Sequence, residues 1–273
     1  MKKSGLFLLI LAFISVFNAC KKDDKSNQTD QQLTVDDAKL AIETGKLSDD
    51  LNNFSVLVEP STANKSSNLP SCVTQSFVQY TDSIVFTLNF DPNGCTFPNG
   101  NTYKGTVIIT KRMDVASQNH SGSIEFIDFS VNDIQVEGSS DFEYVSQNTN
   151  GFPQLTHTYD FTFTFPNGDI AARNGTTIKE WIEGSSTPIH HDDVFLISGN
   201  AHILKRNGVQ IDLLVTTPLR KEATCHYFVS GVVEITKNGQ TAILDYGNGT
   251  CDNEATLTLP NGQVQVIQLS HHP

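Results

Sequence analysis

The sequence predicts a mainly β protein: an antiparallel hairpin or meander sheet, closed as a sandwich or run on as an extended sheet, with a short N-terminal helix. Three observations predict it. Asn-Gly occurs nine times, at 93, 99, 150, 167, 174, 207, 238, 248 and 261, and this dipeptide supplies the positive φ values that tight hairpins require. Between these signals apolar residues recur at every second position. Ile84, Phe86, Leu88 and Phe90 share one face; Tyr159, Phe161, Phe163 and Phe165 share another, with Thr158, Asp160, Thr162 and Thr164 opposite; Val209, Ile211, Leu213 and Val215 repeat the device. A period of two marks a strand with one packed and one wet face. No helical period survives after residue 72, which leaves room for about a dozen strands.

The chain divides in order. Residues 1–19 read as a signal segment: Lys2 and Lys3, then an apolar run from Leu6 to Phe17 broken only by Ser15, then the small residue Ala19. The run is too short for a spanning helix, which needs about 20 apolar residues. Cys20 follows directly, the position at which a bacterial lipoprotein signal places its lipidated cysteine. Acyl chains such as palmitate contribute ~0.8 kcal/mol per buried CH₂, so two or three of them make a stable anchor. Residues 20–33 are polar and read as a disordered tether. Over 34–58 a short helical segment is expected. Thr34 is placed as its N-cap, Asp36 and Asp37 lie in the first turn, and Val35, Ala38, Ala41 and Ile42 fall at helical spacing. Gly45 reads as the stop. Residues 59–71 return to Pro, Ser, Asn and Lys, a second linker, and 72–273 form the β-rich domain.

Charge excludes some functions. The chain has 18 Lys+Arg and 30 Asp+Glu, a formal charge of −12. Removing residues 1–19 takes Lys2 and Lys3 and leaves −14. Nucleic acid is excluded as a partner, because phosphate contacts need a basic face. The remaining 254 residues suffice for one all-β domain.

With Cys20 lipidated, Cys72, Cys95, Cys225 and Cys251 remain, an even number in an exported chain. Local pairing, Cys72–Cys95 and Cys225–Cys251, is the natural expectation, and each bond contributes roughly 3 kcal/mol on the loop-entropy model. An internal likeness supports it. Both Cys72–Thr110 and Cys225–Leu269 run Cys, strand, hairpin, strand, Asn-Gly and Cys, then Pro-Asn-Gly and a further strand, which points to two related halves. Each unit reads as a hairpin whose Asn-Gly turn is stapled to the start of its first strand.

Several segments resemble one group of proteins. They are Asp245-Tyr-Gly-Asn-Gly-Thr-Cys-Asp-Asn-Glu-Ala-Thr, Val131-Asn-Asp-Ile-Gln-Val-Glu-Gly, Lys179-Glu-Trp-Ile-Glu-Gly and Val229-Ser-Gly-Val-Val-Glu-Ile-Thr. Over roughly 72–269 the chain is similar to uncharacterised lipoproteins of the Bacteroidota. Lys21, Lys22, Asp23 and Asp24 likewise resemble the Lys-then-acidic tag that sends such lipoproteins to the outer face of the outer membrane. The resemblance implies a β-rich exported protein and carries no activity.

Candidate chemistry is thin. His190, His191, Asp192 and Asp193 offer two imidazoles and two carboxylates to a metal, but neighbours on a strand point to opposite faces, so only a curled loop after Pro188 brings them together. Asp245, Asn248, Asp252 and Asn253 surround a Gly-rich turn and offer oxygen ligands to calcium, without EF-hand spacing. Glu180 and Glu183 flank Trp181, and Asp141 and Glu143 share a face; either pair is a formal candidate for glycoside hydrolysis. No Gly-x-Ser-x-Gly, P-loop or Rossmann fingerprint occurs. His271 and His272 are terminal. The expectation is therefore a lipid-anchored, exported surface protein without enzymatic activity, cofactor or metal. It would meet the membrane through its anchor and an extracellular protein or glycan through its sheet. The alternatives are a binding module for extracellular glycan or calcium and, further off, a glycan hydrolase.

Overall fold

The hairpin signals fix the topology. The computed structural model describes residues 31–58, 69–114 and 119–269. Thirteen strands follow one another in a single antiparallel sheet whose spatial order is the chain order. They are β1 (Val73–Gln79), β2 (Ser83–Thr96), β3 (Thr102–Asp114), β4 (Asn119–Val131), β5 (Ile134–Val145), β6 (Gln154–Thr164), β7 (Ile170–Glu183), β8 (Val194–Lys205), β9 (Gln210–Glu222), β10 (Phe228–Lys237), β11 (Gln240–Asn248), β12 (Glu254–Thr258) and β13 (Val264–Gln268). The sheet is extended and open, with β1 and β13 as its edges.

One turn recurs. In Phe97–Asn101, Phe165–Asp169, Lys205–Val209 and Leu259–Gln263 the first residue's N–H donates to the fifth residue's carbonyl, and the Gly N–H donates to the first residue's carbonyl. This is a type I turn followed by a left-handed glycine, with Pro as its second residue in three of the four. The Asn side chain accepts from the backbone N–H two residues on, as in Asn99, Asn167, Asn207 and Asn261. Asn238-Gly239 makes a tighter turn, with φ of +50° and +74°, and Asn132-Asp133 makes its counterpart at +50° and +63°. Three of the Asn-Gly pairs are not turns: Asn248 ends β11 opposite Ser230, and the Gly249 N–H donates to the Val229 carbonyl. Asn174-Gly175 lies inside β7, and Asn93-Gly94 lies in an irregular stretch of β2 between residues that pair with β3.

Among the described residues two helices precede the sheet: α1 (Val35–Asn52) and the single turn α2 (Phe54–Leu57). Gly45 does not stop α1. Leu47, Ser48, Leu51 and Asn52 continue the buried stripe begun by Asp37, Ala38, Ala41 and Thr44, so packing carries the helix past the glycine. The segment is not a spacer standing off the sheet, and the end of the preceding tether is docked too. Leu33 is buried, and its N–H donates to Gln240 on β11. Phe54, at the other end, packs edge-on against Phe90, Tyr103 and Phe129 from β2, β3 and β4.

The helix thus crosses from β11 to β3. About 20 residues of helix advance about 30 Å, whereas eight strand spacings span about 38 Å on a flat sheet, so the sheet curls around the helix. Breaks in the ladders accompany the curl, at Lys104/Thr106, Glu125/Phe129, Ile197/Asn200 and Ser230/Val232 among others. Gly138 in β5 and Gly199 in β8 take φ of +114° and +137° and lie so close to the next strand that a Cβ would stand 2.0 Å from the carbonyl oxygens of Asp160 and Thr176 respectively. Such kinks and bulges bend a sheet. Two cores result. One joins Leu47, Leu51 and Phe54 to β2–β6, the other joins Leu33, Ala38 and Ala41 to β7–β13.

Both expected disulfides form, Cys72–Cys95 and Cys225–Cys251, with Cα atoms 5.5 and 5.7 Å apart. Each closes the open end of a hairpin, β1–β2 and β10–β11, rather than its turn as the spacing had suggested. The true turns are at 80–82 and at Asn238-Gly239.

Glycine substitutions separate helix from sheet. Gly45→Ala places its Cβ 3.5 Å from the Arg173 guanidinium, an ordinary contact, and is expected to raise the unfolding free energy by about 0.5–1 kcal/mol. Gly138→Ala is expected to lower it by at least about 2 kcal/mol through strain and the backbone clash. Urea denaturation followed by circular dichroism checks both signs.

Candidate functional site

The inward face of the sheet is not uniformly apolar. Strand alternation places Lys237 two residues after Ile235, Arg173 two after Ala171, and His157 two before Tyr159, all facing the core. Each of these polar groups meets α1 or the turn that follows it.

At the N-terminal end Thr34 and Asp37 form a capping box: the Thr34 N–H donates to Asp37 Oδ2 at 3.0 Å, and the Asp37 N–H donates to Thr34 Oγ1 at 3.2 Å. The same carboxylate takes Lys237 Nζ at 2.8 Å and Lys205 Nζ at 3.4 Å. Asp37 and Lys237 are almost wholly buried. Burial pushes the Asp37 carboxyl up, and the bonds from Lys237 and Thr34 outweigh it and hold the group below the ordinary carboxylate range. One turn on, Arg173 Nη1 donates to the Ala41 carbonyl at 3.3 Å and to Thr44 Oγ1 at 3.2 Å. At the C-terminal end His157 Nε2 accepts from Ser55 Oγ at 3.1 Å, and the ring also bonds the Asn52 backbone. Burial, helped by the charge of Lys179, pushes His157 down to about 4, so the ring is neutral. Asp50 takes Asn101 Nδ2 at 2.8 Å. Burial and the neighbouring Asp49 raise its carboxyl to about 6. Period-two reading carried one residue beyond Tyr159 and Ala171 would have found His157 and Arg173; nothing local in the sequence tells which helix positions they meet.

This seam does not gather the residues singled out from the sequence. His190, His191 and Asp192 form one 3-10 turn. His190 Nδ1 lies 3.5 Å from Asp193, Asp192 accepts from Thr187 Oγ1, and Asp193 is turned into the protein. Only His190 and Asp193 meet, and among the described residues no three His, Cys, Asp or Glu side chains converge as a metal site. Asp245 and Asp252 accept from the backbone N–H of Gly247 and Glu254, and Asn248 accepts from Thr250 Oγ1, local bonds at the end of β11 and in the connection after it. Glu180 accepts from Asn148 and Asn150, and Glu183 pairs with Arg220 at 3.2 Å. Asp141 and Glu143 stand exposed on β5. Trp181 packs on Phe195 across the β7–β8 ladder, with ring centroids 5.6 Å apart. Cys20, Lys21, Lys22, Asp23, Asp24, His271 and His272 lie outside the described residues. Comparison with protein-family models, with characterised proteins and with solved structures gave no match.

Two groups at the C-terminal end of the seam titrate against each other. His157, depressed to about 4, contributes stability that is present above its unfolded value near 6.5 and is lost as pH falls through about 4. Asp50, raised to about 6, contributes stability that is present below 3.8 and is lost as pH rises through about 6. Their slopes oppose between about pH 4 and 6. Asp50→Asn is expected to stabilise the protein at pH 7 by on the order of 2 kcal/mol and to leave no difference from the parent near pH 3.5. Thermal melts across that range check this, and a gain independent of pH contradicts the assignment.

Proposed function

We propose that this is an exported, lipid-anchored protein of the outer membrane, displayed on the exterior, and that it acts by binding or as structure rather than by catalysis. The observation that carries the reading is the stretch from Leu6 to Asp24, with its apolar run, Ala19-Cys20 and the tag Lys21, Lys22, Asp23, Asp24. Two closed disulfides support it, because such bonds persist in oxidising compartments. The uses of the buried ionisable groups support a non-catalytic role. Asp37, Arg173, His157 and Lys237 are engaged in holding α1 to the sheet. The carboxylates considered for glycoside hydrolysis stand exposed on a strand or bonded to Asn and Arg side chains. A second reading, a binding module for extracellular glycan, is favoured by the surface around Trp181.

Expression in a host with lipoprotein processing tests the anchor. The parent chain is expected to incorporate labelled palmitate and to be cut from intact cells by added protease. Cys20→Ser is expected to lose the label and leave the membrane fraction. A parent chain that stays unlabelled, or that is protected until the outer membrane is breached, contradicts the anchor or the exterior display respectively.

A further inference from the structure

Phe195 on β8 is the hub of a cluster beside the C-terminal end of the helix seam. Trp181 stands directly opposite it on β7, and Lys221 directly opposite on β9. Lys179, two residues before Trp181 and on the same face, lays its ammonium 4.4 Å from the centre of the Phe195 ring. All four side chains are half-buried. In a chain with a formal charge of −12, two lysines here share one small area, and their charges act on each other. Among the described residues neither makes an ion pair. Lys221 donates only to the Cys225 carbonyl, Lys179 rests on an aromatic face, and Asp49 of α1 acts on Lys221 through space. Partly buried charges ordinarily find a counter-charge. Beside them the Trp181 indole Nε1 is shielded from water and has no acceptor, an uncommon expense for a packing anchor.

We infer that Lys179, Trp181, Phe195 and Lys221 bind an acidic sugar unit of a polysaccharide, its carboxylate or sulfate held by the two ammonium groups and its ring against the aromatic pair. The chemistry fits on three counts. Two neighbouring ammonium groups, neither in an ion pair, select an anion. Adjacent ring faces accept the apolar face of a sugar, with Trp and Tyr suited to surfaces that are partly wet. The opposed long lysine stems adjust to a substituent without moving the sheet. The inference rests on the glycan-binding reading above and names the class of sugar and the residues that hold it.

Trp181 is the only tryptophan in the chain, so its emission reports this surface alone. The folded, soluble mature chain with Cys20→Ser is titrated with oligogalacturonate, dextran sulfate and neutral dextran, and retention on the same polysaccharides immobilised on resin is measured in parallel. The expected result is a saturable change in Trp181 emission with a carboxylated or sulfated polymer and none with dextran. Lys179→Met and Lys221→Met keep the apolar stems and are each expected to weaken binding about tenfold or more. Lys104→Met, removed from the cluster and paired with Asp133 at 2.8 Å, is expected to change nothing. Retention on acidic polymer with silent Trp181 emission, or with equal losses in all three variants, overturns this site and leaves the glycan reading standing. No retention and no emission change with any polymer removes both, and leaves the lipid anchor untouched.

Discussion

Thirteen strands in one open sheet present a single long inward face, and α1 is the element that covers its middle. The fold depends on how these two meet. The C-terminal half buries the larger apolar side chains Leu47 and Leu51 beside Ser48 and Asn52, and leads to Phe54, set in a nest of aromatic rings. The N-terminal half is small and polar, with Asp37, Ala38, Ala41, Thr44 and Gly45, which lets the helix lie close to β7–β11. Apolar contact is not directional, so Leu47 and Leu51 alone would let the helix slide. Asp37 on Lys237, Arg173 on Thr44 and Ser55 on His157 mark three separated points along its length. A buried ion pair adds little net stability against an apolar replacement, but losing one partner costs about 3–5 kcal/mol. Its effect at Asp37 is to specify a position, and the capping box uses the same carboxylate to start the helix there.

The curl of the sheet and the seating of the helix are one problem. A flat sheet would leave the ends of the inward face uncovered. Bulges and the kinks at Gly138 and Gly199 bring the flanks round, so that Phe126 of β4 reaches Phe161 of β6 across the missing side chain of Gly138. The two disulfides close the first hairpin and the last long one, and Cys95 is buried in the same core as Leu47, Leu51 and Phe54. Their matching positions echo the internal likeness between Cys72–Thr110 and Cys225–Leu269.

Much of this was legible in the sequence for local reasons. Asn-Gly with a preceding Pro favours a turn by backbone preference, so Phe97–Asn101 and Leu259–Gln263 could be read directly, although Pro92-Asn93-Gly94 carries the same signal inside β2. Alternation gave the strands and their inward faces, and spacing gave the cysteine pairs. The failures have a common cause, since each depends on a distant partner. Gly45 carries a helix stop signal that burial of Leu47 and Leu51 overrides. Asn174-Gly175 carries a turn signal, but both its residues pair with neighbouring strands. Asn132-Asp133 forms a tight turn without glycine because short polar side chains tolerate positive φ. The kinks had a signal, isolated glycine inside a strand pattern, visible in Val136-Glu-Gly and Ile197-Ser-Gly. The candidate chemistry failed in the same way: of the four neighbours His190 to Asp193 only the first and last meet, whereas Lys179 and Lys221 are far apart in sequence and meet around Phe195.

Native-state hydrogen exchange decides whether α1 and the sheet are one cooperative unit. If the helix is the core of the curled sheet, the amides of Ala41 to Leu51 will exchange only through global unfolding, with the same free energy as those of Phe161 and Ile203. Free exchange of the helix amides while β6 and β8 stay protected would contradict the account, for it would mean that the sheet holds its shape without the helix.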